Sequence, residues 1–260
     1  MSAFPNVIFG RYGDEKKAQS TTFGPPLGSI MQLPDGKQYI HAKAQTSAVL
    51  APGKIVVAGS AIPDHGCGTA DNLLCTAAAI GATTIVVTAG GTTAIATDYY
   101  AGGDIFVRDD TGEAYTYKVK VNNSAATGST CTVTLEPEDP VVVAIGGTAT
   151  AGLRRSPYGD VLTRATGSAL VGQVIGVPVA AVSAGFYCWL QKRGLGPALV
   201  SATIVVIGQP VFADTAVAGA VAGFQQASTA TIVYNELDVL GHVHAVSGSA
   251  EYALVNWCNP

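Results

Sequence analysis

The sequence is poor in charge and in aromatic rings. Charged residues make up 12% and aromatic residues 7% of the 260 residues, against 48% hydrophobic residues. Disordered chains have the opposite balance, so we expect most of this chain to fold. The apolar share is mostly small residues, which favours tightly packed strands with some surfaces buried against other subunits.

Several classes of function are disfavoured by what is missing. A net charge of −4 gives no basic surface for nucleic acid. No apolar run of about 18 residues free of Gly and charge is present, so we expect no membrane span, and the first residues predict no signal peptide. The five cysteines form no CxxC pair, which favours small buried thiols and assembly inside a cell. They are Cys67, Cys75, Cys131, Cys188 and Cys258.

No motif for catalysis or cofactor binding stands out. GxSxG, P-loop, HExxH and dinucleotide-binding patterns are missing, so we predict neither catalytic residues nor a cofactor. His65 and Cys67 are close in sequence, but a nucleophilic dyad needs spatial placement and an orienting third group. His242 and His244 lie two apart in a predicted strand, the spacing with which two imidazoles can share one metal ion. The sequence spacing indicates no third metal ligand. This favours the alternative that both imidazoles face solvent or an interface.

The hydrophobic pattern is that of an all-β protein. Short runs of Val, Ile, Thr and Tyr alternate with Gly, Pro and Asn turns, which predicts a β-sandwich or barrel with a small β subdomain inserted or appended. We expect the main domain over 38–68 and 141–260, the subdomain over 69–140, and an irregular N-terminal arm over 1–37. The arm is either poorly ordered or lies on a neighbouring subunit. Apolar periodicity predicts one helix, Thr69–Ala79. The subdomain strands are expected at Thr83–Thr88, Asp104–Arg108, Tyr115–Val121 and Thr130–Leu135.

The second half of the chain contains an internal repeat. The phrase VIGVPVA is echoed by VLGHVHA 65 residues later, and the register continues without a gap. Each copy has the pattern of a strand, a small-residue turn and a second strand. Either a hairpin is duplicated, around 174–191 and 239–256, and closes one barrel or sandwich, or the likeness is convergence, since β proteins reuse Val, Gly and Ala.

Two polar segments have competing interpretations. The acidic segment Asp109–Glu113 is flanked by alternating strands, which favours a hairpin tip over a metal site, since a calcium loop needs more oxygen ligands at regular spacing. Trp189 is followed by a basic turn containing Lys192 and Arg193, which is either a contact patch or an exposed loop after a core Trp. The possible interface residues are Arg11, Tyr12, Trp189, Lys192 and Arg193.

Several sequence segments, taken in their order along the chain, resemble virion structural proteins of tailed bacteriophages, and capsid decoration (cement) proteins most closely. The likeness covers roughly residues 38–260. The segments are TTIVVTAG, DYYAGGDIFVRDDTGEAYTYKVKVN, TVTLEPEDPVVVAI, SPYGDVL, VIGVPVAAVSAGFYCWLQKRGLGPALV and VLGHVHAVSGSAEYALVNW.

The resemblance implies a non-enzymatic β protein, made in the host cytoplasm, that binds the outer capsid surface of the virion. Such proteins often form homotrimers that tie major capsid proteins together against internal DNA pressure. The resemblance transfers no site residue. Two alternatives stay open: another virion part, such as a head fibre, tail or baseplate component, and a carbohydrate- or host-surface-binding β module. The module would use Tyr99, Tyr100, Trp189 or Trp257.

Overall fold

The fold is nearly all β and divides into two compact units. A computed structural model describes residues 7–21, 24–59, 63–66, 73–167, 172–201, 206–223, 239–246, 248 and 250–258. The larger unit comprises Met1–Gly59 and Pro157–Pro260, and the smaller unit, Ser60–Ser156, is inserted between these two parts.

Short strands connected by turns account for most of the described residues. The helical elements among them are a 3-10 turn at Asp14–Lys16 and a single turn α1 at Pro63–Gly66. The strands are β1 (Val7–Phe9), β2 (Ile30–Gln32), β3 (Gln38–Lys43), β4 (Val56–Val57), β5 (Leu73–Cys75), β6 (Thr84–Thr88), β7 (Asp104–Val107), β8 (Thr116–Asn122), β9 (Thr130–Leu135), β10 (Thr150–Arg154), β11 (Leu162–Thr163), β12 (Val174–Pro178), β13 (Tyr187–Leu199), β14 (Pro210–Ala213), β15 (Val221–Gly223), β16 (Gly241–Ala245) and β17 (Tyr252–Cys258).

The larger unit is built on one sheet with the strand order β1-β2-β3-β13-β17-β16-β14-β15. The strands β12, β4 and β11 join it beside β13. β1 runs parallel to β2, and the other named strand pairs in the described part of this sheet are antiparallel. The segment 1–37, predicted to be irregular, therefore contributes two strands to the main sheet. The two strands, VIF and IMQ, have three residues each. This is too short to show the alternation of apolar and polar residues by which a strand is recognised in a sequence.

β13 is a thirteen-residue strand that changes partner along its length. Its first half pairs with β3, and its second half, from Arg193, pairs with β17. The register against β3 shifts between Gln191 and Arg193, so Lys192 is the extra residue of a bulge. The predicted basic turn at Lys192–Arg193 is therefore wrong, because the strand continues through both residues.

A buried side chain stabilises this bulge. Gln191 is 1% exposed, and its amide nitrogen donates to the carbonyls of Arg193, Gly194 and Leu195 at 3.3, 3.1 and 3.0 Å. A Cβ on Gly196 would lie 2.1 Å from the Gln191 Oε1 atom, so a larger residue there would displace the Gln191 amide. The amide thus adds side-chain hydrogen bonds to the backbone just beyond the bulge.

The two hairpins of the sequence repeat have the same pairing register. Val177 pairs with Gln191 in the β12–β13 hairpin, and His242 pairs with Asn256, each 65 residues further on, in the β16–β17 hairpin. Both hairpins belong to one sheet, in which β13 and β17 are direct neighbours. An equal register is what duplication would produce, and duplication itself stays an interpretation.

The smaller unit is a closed barrel of six antiparallel strands in the order β10-β5-β6-β9-β8-β7. Its core is made by alternate residues of each strand, such as Ile85 and Val87 of β6, both fully buried. In the predicted strand Tyr115–Val121, alternation places Tyr115, Tyr117, Val119 and Val121 on one face. Val121 is instead 40% exposed and Asn122 is buried, because a bulge at Lys120 shifts the register against β9 and reverses the faces beyond it.

Two further expectations for the smaller unit need correction. The helix predicted at Thr69–Ala79 is wrong where it can be compared: residues 73–75 form β5, and residues 69–72 lie outside the described part. A short run of small residues fits a strand as well as a helix once a barrel supplies partners on both sides. The unit also extends past the predicted boundary at 140, because β10 closes the barrel against β7 and β5.

Candidate binding groove

The acidic segment Asp109–Glu113 forms the tip of the β7–β8 hairpin. The carboxylate of Asp109 accepts hydrogen bonds from the backbone N–H and the hydroxyl of Thr150 at 2.7 and 2.8 Å. Asp110 accepts one from the hydroxyl of Thr148, and this bond lowers the pKa of Asp110. Gly112 has φ 92°, a conformation that glycine adopts without strain. The carboxylates tie the tip to the start of β10 and are not arranged as ligands of an ion.

His65 has a structural position inside the barrel unit. It is 1% exposed, with Nδ1 2.6 Å from the Tyr100 hydroxyl and Nε2 2.8 Å from the Thr93 carbonyl. The carbonyl can only accept, so Nε2 carries a proton and donates to it, while Nδ1 makes a second hydrogen bond with the Tyr100 hydroxyl. The neighbouring Asp64 carboxylate accepts from Thr92 and Thr93. Both His65 nitrogens are thus engaged, and Cys67 lies outside the described residues.

The other candidate metal and thiol residues do not form a site among the residues described. His242 and His244 are both exposed on β16, and no group of three or more potential metal ligands occurs in the described ranges. Burial raises the pKa of Cys75 to about 11 and that of Cys188 to about 12. Cys131 is buried as well, whereas Cys258, predicted to be buried, is exposed at the outer end of β17.

A groove in the larger unit has a wall of aromatic rings. Its volume is about 350 Å³. Tyr187 and Trp189 are alternate residues of β13, and His41 pairs with Trp189 from β3. The His41 ring centroid lies 5.8 Å from that of Tyr187, with the rings 18° from parallel, and 4.9 Å from that of Trp189. Phe9 of β1, 83% exposed, also lines the groove.

The polar side of the groove comes from the N-terminal segment. Lys17 Nζ donates to the Asp14 carboxylate at 2.6 Å, and the Arg11 backbone N–H donates to the same carboxylate at 2.9 Å. These bonds lower the pKa of Asp14, so the carboxylate is ionised at neutral pH. Gln19 lines the groove as well, and two backbone hydrogen bonds with Tyr187, of 2.9 and 2.7 Å, join its segment to β13.

His41 is the buried titratable group of the groove. It is 6% exposed, and its Nδ1 has no hydrogen-bond partner among the residues that the structure describes. Burial lowers the pKa of His41, although the carbonyls of Pro26 and Pro25 oppose the shift. The Cε1–Nε2 edge faces Gly24, where a Cβ would lie 3.6 Å from either atom. The ring is therefore neutral at neutral pH and packs as part of the aromatic wall.

No family model, curated protein or solved structure matches this chain. The groove is accordingly assigned from its own geometry. In the described part of the chain, no helix combines the length and the hydropathy needed to span a membrane.

The aromatic residues named from the sequence differ widely in access. Trp189 is half-buried and lines the groove. Tyr100 and Trp257 are 1% and 3% exposed and belong to the two cores, so neither offers a ring to a ligand. Tyr99 is covered on one face by the Arg155 guanidinium, 4.1 Å from its centroid. Of the four, only Trp189 lies in a groove lined by described residues.

The possible interface residues come from two segments of the larger unit. Tyr12 is 66% exposed and Arg11 is exposed, both just after β1. Arg193 is exposed and Lys192 half-buried at the β13 bulge, where burial and then the Arg193 charge lower the pKa of Lys192. The sequence did not indicate Asp14, Gln19 or Tyr187 as groove residues. Asp14 and Gln19 are distant from Trp189 in sequence, and only the fold brings them to the same groove.

Buried tyrosines of the barrel give a matched test of the His65 cluster. We expect Tyr100→Phe to destabilise the barrel unit by about 1–3 kcal/mol, because His65 Nδ1 loses its partner in a buried site. Tyr117→Phe should be neutral or stabilising, since the equally buried Tyr117 hydroxyl has no partner among the described residues. Urea unfolding followed by circular dichroism measures both. Equal effects of the two substitutions would contradict this assignment.

The pH dependence of stability tests the environment of His41. Its pKa is lower in the folded state than the ordinary value of about 6.5, so its contribution is complete above that pH and is lost as the pH falls below it. Between pH 7.5 and 5.5 we expect a loss of about 1 kcal/mol that His41→Phe removes. Urea unfolding followed by Trp fluorescence reports the larger unit, which holds both tryptophans. The exposed His242→Gln is the control; a loss unchanged in His41→Phe would refute the prediction.

Proposed function

We propose that this chain is a capsid decoration protein that binds the outside of a tailed-phage shell and stabilises it, without enzymatic activity. The resemblance of the sequence segments named above to phage decoration proteins supports this function. The all-β architecture, with a barrel unit inserted into a sheet unit, is compatible with it. The partner would be the major capsid protein, and the assembled form a homotrimer on the outer surface of the virion.

The observation that carries the proposal is the edge of the main sheet at β1. Among the described residues, β1 pairs with β2 on one side, and the sheet order ends there. Val7 and Phe9 of this strand are 44% and 83% exposed, and Tyr12 just beyond it is 66% exposed. An open strand edge with apolar side chains is a template for pairing with another chain. In a decoration protein this edge would be the attachment surface.

Because a capsid offers many identical binding sites, a small contact surface on each copy is sufficient for attachment. Three apolar side chains and one strand edge give a weak contact by themselves. A trimer engages three capsid sites together, so the second and third contacts form at high effective concentration. The exposed Arg11, just beyond β1, adds positive charge that would favour an acidic capsid surface.

Attachment can be tested with purified heads and purified chain. We expect the chain to have three times the 26.3 kDa mass of one copy in solution and to sediment with heads that lack it. Val7→Asp and Tyr12→Asp together should reduce binding by about tenfold or more, because each buries a charge at the contact. Ile80→Asp, at a 70% exposed position of the barrel unit, is the matched control.

The same experiment separates the alternatives. Binding to tails or baseplates and not to heads would identify another virion part. Binding to neither would overturn a virion role. Loss of head binding in Ile80→Asp, with the β1 variant unaffected, would move the attachment surface to the barrel unit.

A further inference from the structure

We propose that the groove formed by β13, β3 and the N-terminal segment binds a neutral saccharide unit. Its volume of about 350 Å³ lies at the low end of the range of roughly 300–1,000 Å³ found for ligand clefts. An apolar wall with a few convergent polar groups is the usual composition of such sites. The groove shares Phe9 with the strand edge proposed for capsid attachment, whereas Val7 and Tyr12 lie outside its lining.

The aromatic wall suits the apolar face of a sugar ring. Tyr187 and Trp189 present their rings from the same face of β13, and His41 packs against both. Lys43 Nζ lies 5.1 Å from the Tyr187 centroid and contributes a cation–π contact to that ring. The contact with His41 restrains the Trp189 ring, so a pyranose C–H face can pack on Trp189 with little loss of side-chain freedom.

The polar groups of the groove match hydroxyls and not a charged ligand. Asp14 and Lys17 are 2.6 Å apart, so the carboxylate and the ammonium already neutralise each other. A phosphate or carboxylate ligand would have to compete with Asp14 for Lys17 and would lie beside a negative charge. A hydroxyl both donates and accepts, so it can bond Asp14, Lys17 or the Gln19 amide without breaking the pair.

Hydrogen bonds within the chain hold the polar side of the groove. The Asp14–Lys16 turn is fixed by the Arg11 N–H, and the segment at Gln19 is fixed by its two backbone bonds to Tyr187. A site that needs little ordering loses less of its interaction free energy on binding. Millimolar affinity for one sugar unit, raised by multivalency in an oligomer, is therefore the expected range.

Ligand-observed NMR on the intact chain tests the proposal. The probes are glucose, galactose, N-acetylglucosamine and rhamnose, with glucose 6-phosphate as the charged comparison. We expect at least one neutral sugar to show saturable transfer and glucose 6-phosphate to bind more weakly. Trp189→Ala should weaken binding by about tenfold or more, and Trp189→Phe should retain most of it, because a ring face is restored.

A second variant keeps the test valid if Trp189→Ala does not fold. Gln19 is exposed, so Gln19→Ala should fold normally and still weaken binding several-fold. Tyr115→Ala, at a 41% exposed aromatic of the barrel unit, should change nothing. Binding of glucose 6-phosphate alone, absence of binding by all four neutral sugars, or binding unchanged by Trp189→Ala and Gln19→Ala would overturn the proposal. None of these variants alters Val7 or Tyr12, so failure here is distinguishable from failure of capsid attachment.

Discussion

The larger unit depends on the continuity of β13 through its bulge. This strand joins β3 to β17, and so links the N-terminal part of the sheet to the C-terminal hairpin. The exchange of partners occurs at Gln191, whose buried amide donates to three successive carbonyls downstream. An apolar side chain there would remove these hydrogen bonds, and a typical intramolecular hydrogen bond contributes about 0.5–1.5 kcal/mol to stability. The two hairpins with equal register meet along the second half of the same strand.

Both proposed surfaces extend from the first half of β13. Tyr187 and Trp189 provide the groove wall, and β3 and β2 continue the sheet from them to the open edge at β1. The N-terminal segment contributes to both, since its first strand forms the edge while Asp14, Lys17 and Gln19 line the groove. A chain that attaches to a shell by an edge and leaves a groove for sugars would combine capsid stabilisation with weak adhesion to glycans.

Local periodicity predicted the positions of the strands well. It predicted less well which face of each strand is buried. Thr130–Leu135 has the predicted bounds, and the strand of Gln38–Lys43 begins where alternation begins. Bulges at Lys120 and Lys192 reversed or extended strands, because a bulge is determined by partners distant in sequence. Of the groove residues, the sequence indicated only Trp189 as a possible contact for a ligand. The other walls come from β3 and from a segment with no regular pattern. The buried Arg164, which donates to the Asp214 carbonyl, likewise has no signal in its neighbours.

Native-state hydrogen exchange on a Gln191→Leu variant tests most directly whether β13 organises the sheet. The substitution keeps side-chain volume and removes the amide donor. We expect amides of 193–199 and 252–258 to exchange about tenfold faster or more, with barrel residues 73–154 unchanged, whereas Gln45→Leu, at a half-buried site, leaves both regions unchanged. Unaltered exchange in 193–199 and 252–258 would contradict the central role assigned to Gln191 and β13.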